Sequence, residues 1–235
     1  MTSSANSNNS EFTFYTLQDN FEKSKILPEC ICAGVCKISV GGEFKGSGVL
    51  VKIRENPEKP YIKGLMTSLD VIHDLPQNCP ILVEITGNVN EHYFIMKRCG
   101  KDLEYVKPIF FAKIEENFAE DQFMDIFRKS NDSSPTPNWF LHGHFSERGF
   151  QPKIRLCGKL DLPLDVEQNC ENYNKFQNTF SGGPIFSPTR KVIGIHLRSI
   201  KSGANIGEEI GKFISIINAS YDSLPKLVQK RGINC

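Results

Sequence analysis

The stretch Phe180-Ser-Gly-Gly-Pro-Ile-Phe-Ser-Pro-Thr-Arg-Lys-Val-Ile-Gly-Ile-His196 decides how the rest of the sequence is interpreted. It places a serine on a glycine-rich turn, followed by a short apolar run, a second turn and a Val-Ile-Gly-Ile strand. Gly182 and Gly183 allow a tight turn with close backbone approach, so we expect the Ser181 hydroxyl to be exposed at its tip. A Ser-Gly-Gly-Pro turn alone is a modest signal, because many turns are rich in these residues.

A second motif precedes this stretch in the order and at the spacing that a single fold requires. It consists of Gly46-Ser-Gly-Val-Leu-Val51, a linker and Gly64-Leu-Met-Thr-Ser-Leu-Asp-Val-Ile72. Together the two motifs resemble trypsin-like serine peptidases, in which a Gly-Ser-Gly-rich strand is followed by one ending in Thr-x-x-His-Val. The resemblance extends over roughly 35–221 and points to the glutamyl-endopeptidase and viral-protease branch. It implies an all-β fold of two six-stranded antiparallel β-barrels with a C-terminal α-helix.

The pattern along the chain is consistent with that architecture. Short β-rich runs broken by Gly, Pro and Asn are typical of sandwiches and barrels, and apolar residues at three- and four-residue steps in 210–221 predict an amphipathic helix. We expect a disordered polar leader at 1–20 and one peptidase-like domain at 21–235, with an N-terminal barrel at about 30–130, a C-terminal barrel at about 138–205 and the helix at about 207–224.

The family pattern breaks at the general base. Aligning Thr67-Ser-Leu-Asp-Val-Ile72 with the family motif puts Asp70 where the histidine belongs. The base must accept the serine proton near neutral pH, and a carboxylate with a reference pKa of about 3.9 is a poor acceptor. His73 lies three residues further on and is the candidate replacement, although a surface or capping histidine is the simpler interpretation. Losing the histidine typically costs about a million-fold in turnover.

A second departure affects the oxyanion hole, which the resemblance assigns to the backbone N–H groups of Ser181 and of the residue two positions before it. The family usually has glycine at that earlier position, whereas this chain has Thr179. A β-branched residue resists the backbone angles that glycine permits. Removing one donor from such a hole costs about a hundred- to a thousand-fold in rate.

The remaining site residues are implied by the resemblance and are less well defined. The triad acid is expected between base and nucleophile, where Asp121 is favoured weakly over Asp125. His196 occupies the position that contacts an acidic or glutamine side chain in related peptidases, with a structural strand histidine as the equal alternative. The usual partner hydroxyl in that substrate pocket is replaced by Phe176.

Two cysteine and histidine patterns are candidate metal sites. Cys30-x-Cys32-x-x-x-Cys36 lacks a second pair at zinc spacing, and His142-Gly-His144 lacks third and fourth ligands. We expect structural roles for both, and no metal or cofactor. No phosphate-binding loop or dinucleotide fingerprint is present in the sequence.

Composition excludes several classes of function. Lys plus Arg (28) nearly balance Asp plus Glu (27), and no segment concentrates either sign, which argues against a nucleic-acid surface. No apolar run is long enough to span a bilayer, and the first residues have no secretory signal. We therefore expect a cytoplasmic or nuclear protein whose eight cysteines are reduced, without nucleic-acid or membrane partners and of undetermined oligomeric state.

Three functions remain open from the sequence. The first is a catalytically impaired trypsin-like peptidase homologue that binds a protein or peptide through its former cleft. The second is an active serine endopeptidase that uses His73 or Asp70 as its base. The third is a non-proteolytic scaffold or interaction module in which Ser-Gly-Gly-Pro is only a turn.

Overall fold

The strands and the helix account for most of what the structure describes. The protein is represented by a computed structural model, and the described residues are 11–16, 34–75, 78–85, 91–97, 108–114, 122–126, 139–145, 153–161, 181–186, 191–199, 205–211 and 213–229. The strands are β1 (Glu11–Thr16), β2 (Val35–Val40), β3 (Glu43–Ile53), β4 (Ile62–Ser68), β5 (Pro80–Ile85), β6 (Glu91–Lys97), β7 (Ile109–Ile114), β8 (Met124–Asp125), β9 (Trp139–Phe145), β10 (Lys153–Asp161), β11 (Pro184–Phe186), β12 (Val192–Ser199), β13 (Asn205–Glu209) and β14 (Lys226–Gln229). The α-helix α1 spans Phe213–Ala219, and a 3₁₀ turn spans Leu69–Val71.

The second lobe is a closed barrel of six strands in the order β1-β10-β9-β11-β12-β13. Every pairing around it is antiparallel, and β1 closes the ring by pairing with both β10 and β13. This lobe therefore has the predicted strand number and direction. Glu11–Thr16 lies within the segment that we expected to be a disordered leader, so the expectation is wrong for these six residues.

The first lobe differs from the predicted six-stranded antiparallel barrel. It is an eight-stranded sheet in the order β2-β5-β6-β14-β7-β4-β3-β8, and an additional β2–β3 pairing curls it back on itself. The C-terminal strand β14 is inserted between β6 and β7, antiparallel to β6 and parallel to β7. A second parallel pair joins β3 and β8, so the sheet is mixed. The prediction of two six-stranded antiparallel barrels is corrected here for the first lobe, because the sequence after the helix supplies a strand to it.

One hydrophobic core runs through both lobes. It includes Val49 and Met66 from the first lobe and Phe186 and Ile195 from the second, each less than 2% exposed. The helix α1 adds Phe213, Ile214 and Ile217, the face predicted from the apolar spacing. The helix is shorter than the expected 207–224, because residues 205–209 pair with β1 and β12 as strand β13. The lobes are thus held together by shared apolar burial.

No helix in the described part of the chain has the length and apolar character needed to cross a lipid bilayer.

Candidate active site

The turn that carries Ser181 is bonded directly to the first lobe. Ser47 lies in the Gly-Ser-Gly segment of β3, and its backbone N–H donates to the carbonyl oxygen of Ser181 at 2.8 Å. A Cβ built on the preceding Gly46 would lie 2.8 Å from the same carbonyl oxygen and 2.6 Å from the Val71 side chain. Glycine at position 46 therefore lets the second-lobe turn approach the first-lobe strand closely.

Gly182 makes an even closer approach. Its φ is +80°, and an added Cβ would lie 2.0 Å from Thr67 Oγ1 and 2.1 Å from the Ser47 carbonyl oxygen. Thr67 Oγ1 donates to that same carbonyl at 2.7 Å, so β3, β4 and the turn meet at one point. Both sequence motifs, which are more than a hundred residues apart, are brought together here as the resemblance implies.

Strand β12 holds the turn from the other side. The N–H of Gly182 donates to the carbonyl of His196, and the N–H of His196 donates to the carbonyl of Gly183, both at 2.8 Å. Ser181 is thus fixed between β3 of the first lobe and β12 of the second. Its side chain is half-buried at the junction of the lobes.

The Ser181 hydroxyl makes two short contacts. Its Oγ donates to the carbonyl oxygen of Leu197 at 2.8 Å and lies 2.9 Å from Ser68 Oγ. A serine hydroxyl has one proton, and a carbonyl oxygen can only accept. With the Ser181 proton directed at Leu197, the bond between the two hydroxyls must be donated by Ser68. Ser181 is therefore proton donor to an amide carbonyl and acceptor from a neutral hydroxyl.

Ser68 is a site residue that the sequence interpretation missed. It is the last residue of β4 and is 1% exposed, immediately before the 3₁₀ turn. The family pattern directs attention to position 70, and Ser68 falls on one of its unspecified positions. The available signal was the pair of consecutive hydroxyl residues Thr67 and Ser68 at the end of an apolar strand, which lie against Gly182 and Ser181 of the turn.

Asp70 and His73 lie beyond Ser68 at the surface. Asp70 is exposed within the 3₁₀ turn, and the only described partner of His73 Nδ1 is the Asp70 carbonyl oxygen at 3.3 Å. The other ring nitrogen of His73, Nε2, lies 2.9 Å from a carboxylate oxygen of Asp74. Within the described residues, neither side chain forms a hydrogen bond with Ser181. Their assignment as base remains a prediction from the alignment.

The candidates for the acid and for the oxyanion hole are only partly described. Asp125 lies in β8, with a side chain 54% exposed and its carboxylate 3.6 Å from Lys52 Nζ. Such an exposed, lysine-paired group is unlike the buried acid that orients a catalytic imidazole. Asp121, Thr179 and Phe176 lie outside the described residues.

His196 is placed in β12 with its side chain 1% exposed. Its backbone bonds to the Ser181 turn are those of a strand residue, and a buried ring favours the structural alternative over a substrate-pocket role. Either role still awaits a test.

The structure describes some residues of the cysteine and histidine patterns. Cys36 is fully buried, and this burial raises the pKa of its thiol far above the ordinary value. His142 and His144 pair with Leu156 and Ile154 in the register of β9 and β10. Cys30 and Cys32 lie outside the described residues. Among the residues that are described, no three His, Cys, Asp or Glu side chains are grouped as metal ligands.

Comparison with known proteins supports the fold through structure alone. No family model matches the sequence, and no curated protein matches it. The structure is similar to human heparin binding protein, with a TM-score of 0.55 and 11% sequence identity, covering 84% of this chain and 95% of that one. It is also similar to an inactive form of the Rv3671c protease, with a TM-score of 0.50 and 11% identity, covering 87% and 96% of the two chains.

These two neighbours have the trypsin-like serine protease fold, and this chain shares it. At such low identity the similarity extends to the fold and not to activity.

Proposed function

We propose that this protein is a catalytically impaired homologue of the trypsin-like serine peptidases, which binds a protein or peptide through the former substrate cleft. The observation that carries the proposal is the bonding of Ser181. A nucleophilic serine needs a neighbouring group that takes its proton as it attacks. Here the proton is directed at the Leu197 carbonyl, and the other neighbour, Ser68, is itself a donor.

Two further features support impairment. The position that the alignment gives to the base is Asp70, whose side chain is exposed. His73, the alternative base, contacts the Asp70 carbonyl and the Asp74 carboxylate, which are its own neighbours in the chain. Using either residue would require the segment after β4 to rearrange so that a basic atom came within about 3 Å of Ser181 Oγ.

A ligand-binding role is supported by the close packing and hydrogen bonding at the junction of the two lobes. Gly46 and Gly182 lie where an added Cβ would clash with the other lobe, and three backbone hydrogen bonds of 2.8 Å fix the Ser181 turn to β3 and β12. We therefore place the ligand at the half-buried face of Ser181, at the junction of the two lobes.

The impairment is tested by a serine-directed fluorophosphonate, which labels only an activated hydroxyl. We expect no labelling of Ser181 and no hydrolysis of peptide esters above that of Ser181→Ala. Stoichiometric labelling that disappears in Ser181→Ala would contradict the proposal. If that labelling also disappeared in His73→Ala, His73 would be the base.

The binding role is tested separately with fluorescent hexapeptides in an anisotropy titration, with Glu and Gln among the central residues because of His196. We expect saturable binding by the unmodified protein and its loss in Ser181→Arg, which fills the cleft. Thermal unfolding of Ser181→Arg checks that it folds. Equal binding by both proteins, or by neither, would contradict a cleft-bound peptide.

A further inference from the structure

A second concave site lies on the seam between the lobes and shares no residue with the Ser181 site. It is a cleft of about 270 Å³. The first lobe contributes the end of β3, the loop that follows it and β8, and the second lobe contributes Lys191 and the helix residue Ile214. An isolated bridge between Ile126 and Val192 joins the two lobes along the same seam.

The charged residues of this cleft are mainly cations. Lys52, Arg54 and Lys191 line it, and Asp125 is the carboxylate among its lining residues. The excess of two positive charges differs from the near-neutral balance of the whole chain. A partly enclosed space with converging cations concentrates positive potential and attracts an anion.

Two of the cations are held in position by an aromatic ring. The Arg54 guanidinium carbon lies 4.5 Å, and Lys52 Nζ 5.6 Å, from the centre of the Tyr61 ring. Both distances fall in the range of cation–π contacts, which restrict long side chains. Tyr61 is itself 42% exposed, so its ring and the cations on it remain accessible from the cleft.

The loop between β3 and β4 is also ordered by local bonds. Asn56 Oδ1 accepts from the N–H groups of Glu58 and Lys59 at 3.1 and 3.0 Å, and Arg54 Nη1 donates to the Pro57 carbonyl at 3.2 Å. The Pro57 bond uses one of the five donors of the guanidinium. A cation whose position is fixed before binding loses less entropy when it binds a ligand.

The carboxylate in the cleft is only loosely engaged. Asp125 lies 3.6 Å from Lys52 Nζ, beyond hydrogen-bonding distance, and is 54% exposed. An ion pair of this kind contributes little stability and can be replaced by a better-placed anion. Asp125 thus competes with a ligand for Lys52 and does not neutralise the site.

We propose that this cleft binds a tetrahedral dianion, the phosphate or sulfate group of a small molecule. One arginine would suffice for a carboxylate, whereas a phosphate carries a charge of about −1.5 to −2, close to the excess of two cations here. Ligand pockets commonly measure about 300–1,000 Å³, so the cleft suits a compact anion. A ligand held there would contact both lobes through Lys191 and Lys52.

The test is isothermal titration of the full chain at low ionic strength with inorganic phosphate, pyrophosphate and sulfate. We expect saturable binding that weakens as salt is added, because the attraction is electrostatic. Arg54→Gln should weaken binding by about tenfold, the usual worth of a charge-assisted bond. Asp125→Asn should strengthen it several-fold, because the competing carboxylate is lost.

Lys45→Met is the matched control, since it removes a cation from the same strand outside the cleft, where Lys45 pairs with Glu43. The affinity of Lys45→Met for each anion should equal that of the unmodified protein. Thermal unfolding should show that each variant folds. A pH series separates the two anions, because the affinity for inorganic phosphate should rise as its second proton leaves near neutral pH, whereas the affinity for sulfate should not. Absence of saturation with all three anions, no effect of Arg54→Gln, or weaker binding by Asp125→Asn would each overturn the proposal.

Discussion

The Oγ atoms of Ser68 and Ser181 lie 2.9 Å apart across the junction of the two lobes. Ser68 ends a first-lobe strand, and Ser181 begins the second-lobe turn, so the contact joins residues more than a hundred positions apart. In a working peptidase the atom beside the nucleophile accepts its proton. Here that neighbour donates, and the proton of Ser181 is directed to the Leu197 carbonyl.

This relationship predicts that Ser68→Ala alone will not activate Ser181. Removing the Ser68 hydroxyl frees a lone pair on Ser181 Oγ, but the Leu197 carbonyl still holds the proton. Because a carbonyl is not a general base, fluorophosphonate labelling should stay at the level of Ser181→Ala. Labelling of Ser68→Ala would show that Ser68 restrains an otherwise competent nucleophile.

Placing an imidazole at the aligned base position should give only a trace of activity. Asp70→His supplies a general base at the position where the family pattern has one, and on the proposed function this is the largest contribution that the site lacks. It leaves Thr179 in place at the predicted oxyanion hole. Asp70→His combined with Thr179→Gly should therefore exceed the single variant by about a hundred-fold or more, the usual value of one oxyanion donor.

Hydrolysis of peptide esters measures this difference, with Ser181→Ala as background. If Asp70→His already matched the double variant, Thr179 would not be a defect. If neither variant rose above the background, the bonding of Ser181 to Leu197 and Ser68 would be the dominant obstacle.

The close contact at Gly182 predicts a large loss of stability in Gly182→Ala. Its φ is +80°, and the new Cβ would lie within 2.1 Å of both Thr67 Oγ1 and the Ser47 carbonyl. Backbone strain and overpacking each cost about 1–3 kcal/mol, so a fall of about 2–6 kcal/mol in the free energy of unfolding is expected. Urea denaturation measures it.

Gly41→Ala is the matched control, because Gly41 also has a positive φ, +57°, but an added Cβ would meet nothing within 4 Å. The free energy of unfolding of Gly41→Ala should fall by only about 1 kcal/mol, which is the cost of a positive φ for alanine. Equal losses in the two variants would mean that the lobes are not packed against each other at Gly182.

The parts of the fold that could be predicted are those that depend on the local sequence, such as a glycine at a close contact or the apolar spacing of a helix. Glycines at 46 and 182 are needed for close backbone approach, and apolar spacing identified the buried face of the helix. Strand β1 had a signal that composition obscured, because Phe12 and Phe14 alternate with Thr13 and Tyr15 inside a polar segment. For the Ser68 contact the sequence offered only the consecutive hydroxyl residues Thr67 and Ser68, which do not identify the partner, since that depends on where β4 ends relative to a turn in the other lobe.

Strand β14 was the least predictable element, and it gives the last prediction. Four residues are too few to show a periodic pattern, and Pro225 before them suggested only that the helix had ended. In the structure Leu227 is 1% exposed and belongs to the same buried cluster as Phe110 and Ile114. Its neighbours in the sheet are Met96 of β6 and Ile114 of β7.

Leu227→Ala should therefore lower the free energy of unfolding by about 2–5 kcal/mol, as for other buried leucines. Val228→Ala, at a half-buried position in the same strand, should lose less. Urea denaturation followed by tryptophan fluorescence and by circular dichroism measures both variants. If Leu227→Ala changed the free energy of unfolding by less than about 0.5 kcal/mol, the effect would be typical of a surface residue. Residues 226–229 would then be an appended tail, and the first lobe would close without them.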